Sequence, residues 1–156
     1  MNDIVRRYAR LQVPRYTSYP TAAEFIADVA AADQLRWLAG VDPNEAVSLY
    51  LHVPYCREIC LYCGCNTKKA VRGDVIADYR EALEREIALV GDAVSGPLRI
   101  AHLHWGGGTP SILGPDGLAS VMRVLRERFI FETGHEHAIE LDPRYVTPAL
   151  AEGLGK

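Results

Sequence analysis

The sequence predicts an α/β fold of parallel strands with its functional end at their C-terminal mouth. Three observations carry this. After residue 45, short apolar runs alternate with amphipathic stretches in the order βαβαβα, which implies parallel strands joined by right-handed crossovers. Each predicted strand is apolar on one face and polar near its C-terminal end on the other. All four cysteines, Cys56, Cys60, Cys63 and Cys65, lie in the ten-residue stretch CREICLYCGC directly after the first strand.

The elements follow in order. Asn2 to Leu11 suits a short helix, and VPRYTSYPTA reads as extended or turning chain because of Pro14 and Pro20. Residues 24–39 suit a helix ended by Gly40. Val47 to Val53 is a first strand, rich in β-branched and aromatic residues. Asp74 to Val94 is a long amphipathic helix, with Ile76, Tyr79, Leu83, Val90 and Val94 on one stripe. Arg99 to Trp105 is a second strand, interrupted by GGGTP. Pro115 suits a first helical position and Asp116 complements the helix N-terminus, with Leu118, Val121, Met122, Leu125 and Phe129 as the buried face. Ala138 to Leu141 is a third strand, and Thr147 to Leu154 starts another helix.

The strand faces sharpen the architecture. Leu49 and Leu51 oppose Tyr50 and His52; Leu103 and Trp105 oppose His102 and His104; Ile139 and Leu141 oppose Glu140 and Asp142. An open doubly wound sheet would be apolar on both faces. A whole or partial β/α barrel, with helices over one face and a cavity at its mouth, fits the alternation better. The domain boundary falls between an arm with its helix (1–44) and the strand–helix region (45–156).

With 49% hydrophobic and 24% charged residues and a net charge of -3, the composition is that of a globular protein. No basic block suggests nucleic acid or an anionic membrane surface as a partner. No apolar run is long enough to span a bilayer, and the cytoplasm is the expected compartment. Thiols there stay reduced, so clustered cysteines suggest metal or redox chemistry.

The spacing is Cys-x3-Cys-x2-Cys-x-Cys. A structural zinc site usually draws on two separated ligand pairs, and no second pair exists here. A thioredoxin-like motif would leave Cys56 and Cys65 unexplained. Three soft thiolates on one tight loop suit three corners of a cubane iron–sulfur cluster.

At these residues the chain resembles the radical S-adenosylmethionine superfamily. More closely, YLHVPYCREICLYCGCNT, RYTSYPTA and HLHWGGGTPS resemble the oxygen-independent coproporphyrinogen III oxidase family. The resemblance implies a 4Fe-4S cluster on Cys56, Cys60 and Cys63, with S-adenosyl-L-methionine on the open iron. One electron from an unidentified donor would cleave the sulfonium to a 5′-deoxyadenosyl radical. Hydrogen abstraction from two propionates of coproporphyrinogen III, with loss of carbon dioxide, would give protoporphyrinogen IX.

The same resemblance assigns S-adenosyl-L-methionine contacts to Tyr50, Tyr62, Gly107, Gly108, Thr109 and Glu140. It makes Cys65 a residue needed for activity rather than a cluster ligand. Related haem chaperones share the triad and GGGTP but usually carry Asp-Phe where this chain has Gly64-Cys65. A chaperone of that kind, or a non-catalytic iron–sulfur or zinc module, is the alternative function. No catalytic role falls to His52, His102 or His104, while Arg10 and Arg15 are candidates for substrate carboxylates. The family barrel has six β/α units and three are counted here. The sequence thus reads as the first, N-terminal half of such a barrel, truncated, with its third strand an open edge and apolar barrel wall exposed.

Overall fold

The structure, a computed structural model, describes residues 21–70 and 72–155. Arg10, Arg15, the predicted helix of residues 2–11 and most of the RYTSYPTA arm lie outside the described residues. The chain divides into two units, Met1–Gln34 and Leu35–Lys156. In the first, Ala22–Glu24 forms a 3-10 turn. Helix α1 (Ala31–Ala39) begins seven residues later than the sequence predicts. The Asp33 carboxylate accepts the Ala30 N–H at 2.9 Å and closes the first turn there.

The second unit is built on a three-stranded parallel sheet in the order β1 (Ala46–Val53), β4 (Arg99–Gly107), β5 (Ile130–Ile139). A two-stranded parallel ladder, β2 (Tyr55–Cys56) with β3 (Lys68–Lys69), brackets the cysteine loop. Helices α2 (Gly73–Ala93) and α3 (Gly114–Arg128) cross between the strands, and α4 (Pro148–Leu154) follows β5. The α4 start is capped as its sequence suggests, with Thr147 Oγ1 accepting the Leu150 N–H at 3.2 Å.

The apolar stripes meet over one face of the sheet. Trp105, Ile100, Leu103, Val121 and Leu125 are fully buried, with Leu51, Leu83, Ile87, Leu118 and Phe129 around them. Ser120 on α3 donates to Glu84 on α2 at 2.7 Å and ties the two helices together. The opposite face presents Ser48, Tyr50, His102 and His104, all exposed. The exposed sheet face is therefore polar and aromatic, while the edge strand β5 leaves Ile130 exposed.

One irregularity sets this division. The pairing register shifts at Ala101, since Val47 pairs with Ile100 and Ser48 with His102. This bulge changes the phase of β4, so Ile100, Leu103 and Trp105 all face the helices while His102 and His104 face away. Against β5 the shift is larger: Ile100 pairs with Phe131, and His102 with Glu136. Residues 132–135 loop out, turning at Gly134, whose φ of 79° is left-handed.

The third strand accordingly differs from its prediction. It starts at Ile130, eight residues early, because the looped-out segment breaks the alternation that marks a strand. It ends at Ile139, so Glu140, Leu141 and Asp142 lie just beyond it, and Leu141 is exposed rather than packed. β5 does form an edge of the sheet, and β1 forms the other.

Candidate metal and cofactor site

The cysteine loop leaves the sheet at Val53 and returns through β3. Its base is held by backbone bonds: Lys68 N–H to Pro54 O at 2.8 Å, and Ala70 N–H to Cys56 O at 2.9 Å. Within it, Cys63 N–H reaches Cys60 O at 3.0 Å, and Thr67 N–H reaches Cys65 O at 2.9 Å. The apex is unpacked, with Leu61 and Tyr62 almost wholly exposed. All four cysteines are free thiols; Cys56 and Cys63 are half-buried, and Cys60 and Cys65 exposed.

Cys56 is the most fixed of the four. Its sulfur accepts the Thr109 hydroxyl at 3.2 Å and lies 3.5 Å from Thr67 Oγ1. The Cys63 sulfur beside it pushes the Cys65 thiol above its ordinary range, with Glu140 and Cys56 adding smaller charge effects. Among the described residues no three metal-binding side chains are already gathered. The donor set nevertheless fits a thiolate-bound cluster: three soft ligands on one loop, two of them half-buried, with an apex whose closure breaks no core packing.

The GGGTP turn passes against this loop. Gly108 N–H donates to Val53 O at 2.8 Å and Thr109 N–H to Tyr55 O at 2.8 Å. Its glycines leave room for the protein's own groups. A Cβ on Gly106 would lie 2.8 Å from the Tyr50 hydroxyl, one on Gly107 2.8 Å from the His52 ring, and one on Gly108 2.6 Å from both Thr67 Oγ1 and Tyr55 O. Gly107 also has φ 107°, in the left-handed region. Thr109 is buried, with its hydroxyl on Cys56 and its carbonyl accepting the Ile112 N–H at 2.9 Å.

Glu140, just after β5, is brought to the same turn. Its Oε2 accepts the Gly107 N–H at 3.2 Å, and its Oε1 lies 3.5 Å from His104 Nε2. Tyr50 stands between His52, at 3.3 Å from its hydroxyl, and the His104 ring. Partial burial pushes the Tyr50 phenol up, with Glu140 and Cys65 adding to it. Tyr50, Glu140, Thr109 and Cys56 thus converge on the glycine turn, while Tyr62 stays apart at the exposed apex.

Several contributors escape the sequence reading. Thr67 fills the space beside Gly108 and approaches Cys56. Tyr79 on α2 donates its hydroxyl to the His52 carbonyl. Arg144 donates to Glu58 in the loop at 2.6 Å. Thr67, six positions before GDV, and Arg144, two after ELD, carry no motif of their own, and only the tertiary contact reveals them.

The fold and the loop define a class. The E. coli coproporphyrinogen III oxidase HemN, described as a radical SAM enzyme, superposes on 99% of this chain with a TM-score of 0.83 and 34% identity, the match covering 33% of HemN. No family model matches the chain. The oxygen-independent coproporphyrinogen III oxidase of Bradyrhizobium diazoefficiens is 42% identical over 152 residues, covering 97% of this chain and 34% of that protein. The E. coli protein of the same name is 43% identical over 134 residues, covering 85% and 29%. The chain is homologous to part of the oxygen-independent coproporphyrinogen III oxidases and spans about a third of the length of these curated relatives.

Proposed function

We propose that this chain supplies the cluster-binding part of a radical S-adenosylmethionine coproporphyrinogen III oxidase, shaped as a partial β/α barrel (45–156) preceded by an arm (1–44). Cys56, Cys60 and Cys63 hold a 4Fe-4S cluster. When bound, the cluster and S-adenosyl-L-methionine supply a hydrogen-abstracting radical on delivery of one electron from a donor. The substrate is coproporphyrinogen III.

The chain's own residues do the holding. Thr109 fixes the Cys56 sulfur through its hydroxyl while bordering the cofactor's amino-acid end with Gly107 and Gly108. Glu140 accepts hydrogen bonds from the cofactor's amine or ribose hydroxyls. Tyr50 sets its ring against the sulfonium cation, and Tyr62 closes over the adenine from the apex. Cys65, beside Cys63 and outside the ligand triad, serves the substrate step.

The observation that carries this reading is the convergence of Cys56, Tyr50 and Glu140 on one glycine turn beside the cysteine loop. Anaerobic reconstitution with iron and sulfide tests it. The visible absorbance of an iron–sulfur cluster should develop and be lost in Cys60→Ala. Stoichiometric zinc uptake without iron uptake would overturn it. Turnover of coproporphyrinogen III with S-adenosyl-L-methionine and a reductant separates the oxidase from a haem chaperone.

A further inference from the structure

Among the described residues, the hydrogen bonds that tie positions 58–65 of the cysteine loop to another element run through Glu58. Its carboxylate accepts Arg144 Nη1 at 2.6 Å. Arg144 comes from the turn after β5, a few residues beyond Glu140. It is held there before it reaches the loop. Asp142 accepts Arg144 Nε at 3.0 Å and Nη2 at 2.7 Å in a bidentate pair, and the Arg144 backbone N–H at 3.0 Å. The Tyr145 ring adds a stacking surface, with Arg57 at 5.2 Å and Arg144 at 5.7 Å from its centroid.

An isolated exposed ion pair contributes little. This one differs in two respects. Asp142 orients the guanidinium in advance, so bonding to Glu58 requires little further ordering of the side chain. It also joins two halves of one site: Glu58 lies between Cys56 and Cys60, and Arg144 on the segment that carries Glu140.

We propose that Arg144 is a positioning residue, a strut from Asp142 to Glu58 that sets the cysteine loop in place relative to Glu140. The proposal rests on the cluster reading above. Without the strut the first half of the loop keeps only its base and the Arg57–Tyr145 ring contact, and the cluster it carries is more readily stripped.

The test uses the chain with and without cluster. Hydrogen exchange of the metal-free protein reads the loop directly: peptides spanning 57–63 should exchange about fivefold faster in Arg144→Gln and in Glu58→Gln, the size expected for a pre-organised surface network. In reconstituted protein, iron loss to a chelator should rise by a similar factor in each single variant and no further in the double, because both remove the same strut. Arg144→Lys should recover part of the loss, and melting temperatures should stay near the parent's. Unchanged exchange in the single variants, or multiplicative effects in the double, would overturn the strut. Faster exchange with no iron uptake by the parent chain would leave a structural strut but overturn both its role for the cluster and the reading it rests on.

Discussion

Gly108→Ala is the most direct perturbation of the glycine turn. The added Cβ would stand 2.6 Å from Thr67 Oγ1 and 2.6 Å from the Tyr55 carbonyl oxygen, where real Cβ contacts do not fall below 3.0 Å. Thr67 can rotate aside, giving up its approach to Cys56. The Tyr55 carbonyl cannot, because it accepts the Thr109 N–H at 2.8 Å and its strand is paired with β3. The turn itself must lift. Overpacking of this kind costs about 1–3 kcal/mol. For a unit of this size each kcal/mol is worth roughly 4 °C, so the melting temperature should fall by about 4–12 °C. The same lift draws the Thr109 hydroxyl from Cys56, so reconstituted protein should also hold less iron per chain. Gly64→Ala is the matched control, since its Cβ would meet nothing within 4 Å. Circular-dichroism melts and iron analysis read both effects. A Gly108→Ala protein that melts with the parent and loads the same iron would refute the steric argument.

Leu103→Ala removes a side chain only 1% exposed between the sheet and the helices, and should cost about 2–5 kcal/mol in urea unfolding. Gly134→Ala places a Cβ at φ 79° with open space around it, so only backbone strain of about 1 kcal/mol is expected from the same measurement. His137 accepts the Trp105 indole N–H at 2.8 Å, and burial, then His135 and Arg126, hold its pKa below the ordinary 6.5. The unfolded chain therefore takes up this proton first; the His137 contribution is complete above about pH 6.5 and is lost as pH falls below it. His137→Gln keeps an acceptor for the indole and should flatten the decline in melting temperature between about pH 7 and 5; an unchanged slope would remove His137 from the account.

The strands and helices were legible where their periodicity is unbroken. β1, α2 and α3 lie within a residue or two of their predicted bounds because each keeps one period throughout. The third strand was not, because its pairing skips residues 132–135, and a window spanning the skip averages two phases into none. The start of α1 was missed for a similar reason: EFIADVAAAD is helical by composition, but the turn at Ala30 decides where the helix begins. Extending the alternation past Ile139 puts Leu141 on the buried face, but the strand has ended there and Leu141 is exposed.

The candidate site divides along the same line. Cysteine spacing is local chemistry and survives translation into sequence. The glycines do not, since what requires Gly108 is a threonine from the loop and a carbonyl from β2, neither adjacent to it in the chain. This bears on how the site can be probed. If glycines 106 to 108 made room only for a ligand, their alanine variants would lose the ligand and keep the fold. Here Tyr50, His52 and Thr67 occupy that room, so such variants disturb the protein before any ligand arrives, and lost activity alone could not say which happened. Cys60 is the cleaner probe. It is exposed and its side chain hydrogen-bonds no described residue, so Cys60→Ala should leave the melting temperature of the metal-free chain within about 1 °C of the parent, as surface substitutions usually do. Loss of iron uptake in that unperturbed fold would then belong to the thiol alone, and retention of iron would show that Cys60 is not a ligand.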